Sequence, residues 1–294
     1  MKPILKWAGG KSRLAPQICA AFGGPCEGTW FEPFVGSAAV FLYRRAKNKL
    51  GRAVLSDVNP KLMAMHIAMR DDVDGVIRAL ERLPSKDWRE RYYEVREAFN
   101  DGPHEGPEHA ARFVWLNRAG FNGLYRENRH GTFNVPLGSY TKLTLPEPAL
   151  FWRIHQLLQG VELVVCGFEE LMSRAGPKDH VYCDPPYVPL SATANFTGYA
   201  KGPFGPVEQL ALADHAHRAA LVGAKVVLSN HDLPVVRDEL YNAVRGFEVY
   251  ASPLVSRAIS RNGADRKAVA EVIAAIGPET AVAFASPVKV VRAA

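Results

Sequence analysis

The chemistry in this chain concentrates at Asp184-Pro185-Pro186-Tyr187. A short apolar run, Val181 to Cys183, stops there at an acid, two prolines and an aromatic. Proline lacks an N–H and fixes φ, so neither proline continues a paired strand. The chain must leave its sheet at Asp184, with the carboxylate at the carboxyl end of a buried strand. In open α/β sheets ligands bind at that edge. A carboxylate and the Pro185 carbonyl can both accept hydrogen bonds from one exocyclic amino group. That draws the nitrogen out of planar conjugation and aims its lone pair at an electrophile. The Tyr187 ring can stack on the flat base that carries the amine. The plainer alternative is a strand followed by a proline-rich turn with a solvated acid.

Two upstream stretches could hold a partner for that chemistry. Pro3-Ile4-Leu5-Lys6-Trp7-Ala8-Gly9-Gly10-Lys11-Ser12 reads as a glycine turn opening a helix, with Trp7 and two lysines at its mouth. Gly10-Lys11-Ser12 looks like the end of a phosphate-binding P-loop, but that loop needs a glycine where this chain has Leu5. Thr29 to Leu42 reads as strand, tight turn and helix, with Glu32, Phe34 and Gly36 at the turn. Gly36 permits close backbone approach. The dinucleotide fingerprint G-x-G-x-x-G is incomplete, because Ala38 stands where a second glycine could be. The run Ala53 to Ser56 then ends at Asp57, about 20 residues past Gly36, a distance at which an acid suits ribose hydroxyls.

The elements that must position these residues follow from periodicity. From Asn59 to about Leu145 there is no βαβ alternation. Leu62–Met69, Val73–Leu83, Asp87–Phe99 and His109–Leu116 are predicted helices. Asn117 to Tyr140 mixes glycine, asparagine, aromatic and arginine residues, as a ribbon that reads DNA would. Ala149–Leu158 is a predicted helix and Val161–Cys166 a strand. Ser191–Tyr199 could fold over an extruded base. Val207–Val222 is a helix capped by Gly223, and His215 and His217 on it read as surface residues. Lys225–Ser229 is a strand. Phe247–Ala251 and Ala268–Ile276 form a last antiparallel pair. Between them Arg257, Arg261, Arg266 and Lys267 surround Asn262-Gly263, a basic loop suited to phosphates.

Composition bounds the class. The chain has 294 residues, 48% of them hydrophobic, enough for one large α/β domain or one with an insertion. Its net charge of +6 is compatible with a polyanionic partner. The four cysteines form no C-x-x-C pair; Cys166 and Cys183 read as buried strand positions. Reduced thiols and a cytoplasmic location are expected, with no metal site. No N-terminal apolar run or spanning stretch is present, so neither a signal peptide nor a membrane segment is expected.

Asp184-Pro185-Pro186-Tyr187 resembles the catalytic motif of amino methyltransferases that use S-adenosylmethionine (SAM) on adenine N6 or cytosine N4. With Leu5 to Lys11, Glu32-Pro33-Phe34-Val35-Gly36, Phe121 to Arg126, Phe133 to Pro136, and Phe196 in this order, the chain resembles the DNA adenine methyltransferase family over nearly its whole length. The resemblance implies a Rossmann-like α/β methyltransferase sheet with a helical DNA-recognition insertion. The catalytic domain would be residues 1–58 and 146–294, and the target-recognition domain 59–145. It implies SAM as cofactor and methylation of adenine N6 in double-stranded DNA, usually at GATC; because the amine is buried in the base stack the base must be flipped out, and a monomer is expected. Trp7, Lys11, Glu32, Phe34, Gly36, Asp57 and Asp184 match cofactor positions. Lys6, Leu124, Arg126 and Pro136 match positions that read bases, with Asn134 and Tyr140 beside them. Phe121, with Asn122 next to it, stands where an aromatic enters the duplex beside the flipped adenine. Three alternatives stay open: a cytosine N4 enzyme, which more often has serine at Asp184; an rRNA adenine enzyme, which usually has asparagine there; and an inactive DNA-binding regulator. The residues from Pro278 to Ala294 extend beyond the family core.

Overall fold

The structure is a computed structural model that describes residues 2–190, 204–242, 245–251, 255–256 and 268–278. In chain order it builds α1 (Ala15–Ala21), β1 (Thr29–Glu32), α2 (Ala39–Arg45), β2 (Arg52–Asp57) and α3 (Pro60–Asp71). Then come α4 (Val73–Glu81), α5 (Tyr92–Asp101), α6 (Gly106–Ala119), α7 (Pro148–Leu158), β3 (Val161–Val165) and α8 (Phe168–Met172). The chain continues through β4 (His180–Cys183), α9 (Pro206–Leu221), β5 (Lys225–His231), β6 (Glu248–Ala251), β7 (Val255–Ser256), β8 (Ala268–Val269) and β9 (Glu271–Ile276). Seven strands form one sheet in the order β3-β2-β1-β4-β5-β9-β6, and β7 and β8 form a separate small ladder. β1, β4 and β5 run parallel, while β9 is antiparallel to both β5 and β6. This is the mixed α/β architecture expected.

By internal packing the chain divides into two units. One comprises Met1–Ser12, Val35–Ala46 and Leu55–Val165. The other comprises Arg13–Phe34, Lys47–Val54 and Cys166–Ala294.

In the first unit α6 is the central helix. Nearly every residue from His109 to Ala119 is buried, and Trp115 donates its indole N–H to the Pro84 carbonyl at 2.9 Å. A helix buried all round belongs in a core. α3 and α4 pack on it, and both are capped from the sequence. Asn59 accepts from the Lys61 and Leu62 N–H groups with Pro60 in the first turn, and Asp72 accepts from Gly75 N–H at 2.8 Å. The predicted helix from Asp87 begins only at Tyr92, because residues 87–91 form a turn closed by Arg91 N–H to Asp87 O at 3.1 Å. The glycine turn at Gly9-Gly10 does not open a helix: further turns follow, and α1 starts at Ala15.

In the second unit the buried strands β4 and β5 carry the core with β9. Gly223, at φ +93°, follows the end of α9 as expected. The strand predicted over Ala268–Ile276 is divided at Ala270: its first two residues pair with β7, and β9 pairs with β5 and β6. His215 and His217, expected at the surface, are half-buried. The His215 ring meets Phe168 edge-on at 5.8 Å, and His217 Nδ1 bonds the Arg245 carbonyl at 2.8 Å. The cysteines are all free thiols; Cys166 lies just past β3 and is half-buried, where full burial was expected. The candidate loop Ser191–Tyr199 with Phe196, and Arg257, Arg261, Arg266 and Lys267, lie outside the described residues.

Candidate active site

All four residues of β4 are buried, and the chain leaves the sheet at half-buried Asp184. The turn that follows is held from three elements. Gln209 on α9 donates its Nε2–H to the Pro186 carbonyl at 2.7 Å. Asn230 on β5 accepts the Val188 N–H at 3.0 Å, and His231 Nδ1 donates to the Val188 carbonyl at 2.6 Å. Tyr187 donates its hydroxyl to Glu271 Oε2 on β9 at 3.0 Å, and its ring stands edge-on to His231 at 4.8 Å. The ring of Tyr187 is thereby fixed in both tilt and reach.

Burial, reinforced by the Asp184 charge, pushes the Tyr187 hydroxyl well above its usual range, and the Tyr182 hydroxyl likewise. The Cys183 thiol is raised by burial and by the Glu32 and Asp184 charges. These groups stay protonated at neutral pH, so the Cys183 thiol offers no thiolate nucleophile. Among the described residues, no group of three or more His, Cys, Asp or Glu side chains could hold a metal ion. No described helix is long and apolar enough to cross a membrane.

Glu32 ends β1. Because β1 and β4 pair in parallel, Trp30 with His180 and Phe31 with Val181, Glu32 and Asp184 lie at the same edge of the sheet. Glu32 is buried and accepts the Trp30 indole N–H at 2.9 Å. Phe34 is half-buried in an aromatic cluster with Phe168 and Phe204, at 5.8 and 5.7 Å.

The first unit gathers Trp7, Gly36 and Asp57. Gly36 takes φ +46°, and a Cβ on it would lie 2.7 Å from Trp7 Nε1 and 2.9 Å from Cδ1. Only glycine fits such a contact. The Gly36 N–H reaches Asp57 Oδ2 at 3.3 Å, and the Asn59 N–H reaches Oδ1 at 3.1 Å. Burial raises the Asp57 carboxyl, and the N–H groups of Asn59, Gly36 and Val58 oppose that rise. The Gly36 carbonyl accepts from His66 Nε2 at 2.9 Å. Ala38, the non-glycine of the incomplete fingerprint, is itself left-handed at φ 57°, a conformation that costs an L-residue about 1–2 kcal/mol. Lys11 is buried and bonds the Gly9 carbonyl. The Trp7 ring stacks on Tyr125 at 5.9 Å.

The stretch expected to read DNA forms a hairpin with antiparallel bridges Gly120–Leu137 and Glu127–Phe133. Phe121–Gly123 forms a single 3₁₀ turn in which Asn122 is left-handed at φ 53°. Phe121, Asn122 and Leu124 are half-buried, and Arg126 and Pro136 are exposed. Arg126 binds Asn134 twice, Nε to Oδ1 at 2.7 Å and a terminal nitrogen to the carbonyl at 3.1 Å. Lys6 places its ammonium 4.3 Å from the centre of the Tyr140 ring. The structure therefore brings Lys6 to Tyr140 and Arg126 to Asn134.

Several partners had no signal in the sequence. Asn117 joins the N-terminal stretch to the ribbon: it accepts Lys6 N–H at 2.8 Å and donates to the Lys6 and Gly123 carbonyls at 2.7 and 2.9 Å. Lys61 on α3 bonds Glu127 at 2.9 Å and the Gly131 carbonyl at 2.5 Å, and the Tyr125 hydroxyl shares that Glu127 oxygen at 2.5 Å. Gln209 and Glu271 belong with them, since neither sits in a motif.

Comparison with known proteins places this arrangement. The family model described as D12 class N6 adenine-specific DNA methyltransferase matches residues 7–251. The DNA adenine methylase of Haemophilus influenzae is 38% identical over 280 residues, covering 94% of this chain and 94% of that protein. That of Vibrio cholerae is 38% identical, covering 94% and 96%. That of Escherichia coli K12 is 37% identical, also covering 94% and 96%.

Proposed function

The chain belongs to the D12 class of N6 adenine-specific DNA methyltransferases, and from that membership we propose that it methylates adenine N6 in duplex DNA at GATC, with SAM as donor. The observation that carries the reading is the turn after β4, where half-buried Asp184 stands beside a Tyr187 ring fixed by Glu271 and His231.

The residues of the first unit suit SAM. Gly36 is pressed under Trp7 where no side chain fits, Asp57 is a partly desolvated acid suited to ribose hydroxyls, and Lys11 suits a carboxylate. Glu32, Phe34 and Asp184 are assigned to the same cofactor by the family pattern. SAM supplies a methyl group already activated by its sulfonium, so no covalent enzyme intermediate is needed.

The chain does the positioning. The target amine lies inside the base stack, so the adenine is extruded at a cost of about a few kcal/mol. Asp184 and the Pro185 carbonyl accept hydrogen bonds from N6 and hold its lone pair toward the donor. Asp184 is the acceptor for the proton that N6 sheds. Tyr187 stacks on the extruded base. Phe121 fills the gap left in the duplex, while Lys6, Leu124, Arg126 and Pro136 read neighbouring bases from the 59–145 recognition region and the N-terminal stretch. A monomer carries every residue this reading uses, and its free cysteines suit the reducing cytoplasm.

The test is incubation with tritiated SAM and duplexes carrying GATC or single-base variants, followed by nucleoside analysis. N6-methyladenine confined to GATC supports the proposal. N4-methylcytosine, or label spread evenly over the variants, rejects it.

A further inference from the structure

The pair Gln209 and Asn230 lies beneath the catalytic turn, and neither side chain is solvent-exposed. Both are uncharged amides in a core position, where an unmatched donor or acceptor is costly. Their hydrogen bonds interlock. Asn230 Oδ1 accepts two backbone N–H groups, from Val188 at 3.0 Å and His231 at 2.9 Å. Asn230 Nδ2 donates to Gln209 Oε1 at 3.1 Å and to the Tyr241 hydroxyl at 3.3 Å. Gln209 then uses its own Nε2 on the Pro186 carbonyl at 2.7 Å.

The amide orientations follow from this arrangement. Asn230 must present its oxygen to two N–H groups, so its nitrogen faces Gln209. Gln209 must answer with its oxygen, so its nitrogen faces Pro186. One backbone demand at β5 thus sets the donor that α9 aims at the turn. The bonds seize the turn at residues 186 and 188, on either side of Tyr187 and directly after Pro185.

We infer that Gln209 and Asn230 are positioning residues for methyl transfer, an amide relay that holds the Pro185 carbonyl and the Tyr187 ring in their working places. The inference rests on the reading of Asp184 to Tyr187 as the catalytic turn. Proline cannot brace itself here, because it has no N–H to anchor. Pro185 and Pro186 offer only their carbonyls, and the relay engages the Pro186 carbonyl together with the Val188 N–H just beyond. Small misplacement of a reacting group lowers turnover far more than binding.

The test uses the full chain and four variants, with steady-state methylation of duplex DNA across pH and urea unfolding of each variant. Gln209→Leu removes the donor to Pro186 and is expected to lower kcat about tenfold or more at every pH, with KM for SAM and DNA within about twofold. Gln209→Glu keeps the oxygen for Asn230 but presents a second oxygen to Pro186. Burial raises a carboxyl pKa, so its protonated form can donate in place of the amide. Its kcat relative to the natural chain is expected to be low at alkaline pH and to recover as pH falls. A residue with only a packing role would give no such recovery. Asn230→Asp, which keeps both acceptor contacts, is expected to lose less turnover than Asn230→Leu. Variants that match the natural kcat at every pH, or a Gln209→Glu deficit that is flat with pH, would overturn the relay. Asp184→Ala is run alongside: turnover by that variant would overturn the catalytic reading itself.

Discussion

Gly36 lies directly beneath the Trp7 indole, so close that a Cβ on it would come within 2.7 Å of Nε1. The turn is therefore a backbone surface shaped by a missing side chain. Gly36→Ala meets both a left-handed φ and an aromatic ring. It should displace Trp7, weaken SAM binding at least tenfold, and destabilise the fold by about 1–2 kcal/mol. Calorimetry with SAM and a urea melt check both. Unchanged SAM affinity would remove this turn from the cofactor site.

The Tyr187 hydroxyl is tied to Glu271, and the proposed stacking on the base falls to the ring. Tyr187→Phe should keep most of the methylation rate. Tyr187→Ala should lose roughly 1–3 kcal/mol of base stacking, seen as a fall in kcat/KM on duplex DNA. A 2-aminopurine at the target position, which brightens on extrusion, should report the same order.

Arg126 is oriented by two hydrogen bonds to Asn134. Its fork suits guanine O6 and N7. Arg126→Ala should cost roughly 1–3 kcal/mol at one base pair and leave the salt slope nearly intact. Asn134→Ala should produce a weaker version of the same loss. By contrast, Arg266→Ala with Lys267→Ala should weaken every duplex alike and flatten the log–log salt slope by about one to two units. Binding to single-substituted sites at several salt concentrations separates the two patterns.

His66 and His109 are buried, and burial lowers each to about 4 from 6.5. The unfolded chain therefore binds more protons than the folded one between those values. Stability should be fully present above pH 6.5 and fall as pH drops toward 4, by up to about 3 kcal/mol per histidine. His66→Gln, which keeps an N–H for the Gly36 carbonyl, should remove about one proton from that dependence. Urea midpoints across this range measure it.

The motifs were legible because each is a local device. A strand that ends in Asp-Pro-Pro, or a glycine turn followed by an acid, announces itself within a few residues. Most of the longer helices and strands were equally legible from periodicity, but the short α8 and β7 were not, and the helix expected after Gly10 did not form. What holds the motifs was not. Asn230 meets Val188 from 42 residues away, Glu271 meets Tyr187 from 84, and Asn117 meets Lys6 from 111. No periodicity marks a glutamine on α9 as the partner of a proline carbonyl. Helix and strand ends misled for a related reason. The turn before Tyr92 and the break at Ala270 are decided by hydrogen bonds, which composition does not specify.

Among the described residues β9 is the last strand in sequence, yet it sits between β5 and β6. As the chain leaves the ribosome, every earlier strand is made before the one that joins these two. Until residue 271 emerges, Tyr187 has no Glu271 to receive its hydroxyl, and β5 shows an unpaired edge. Synthesis thus places a timer on this turn: it receives its Glu271 brace only after residue 271 has been made, later than the whole 120–137 hairpin.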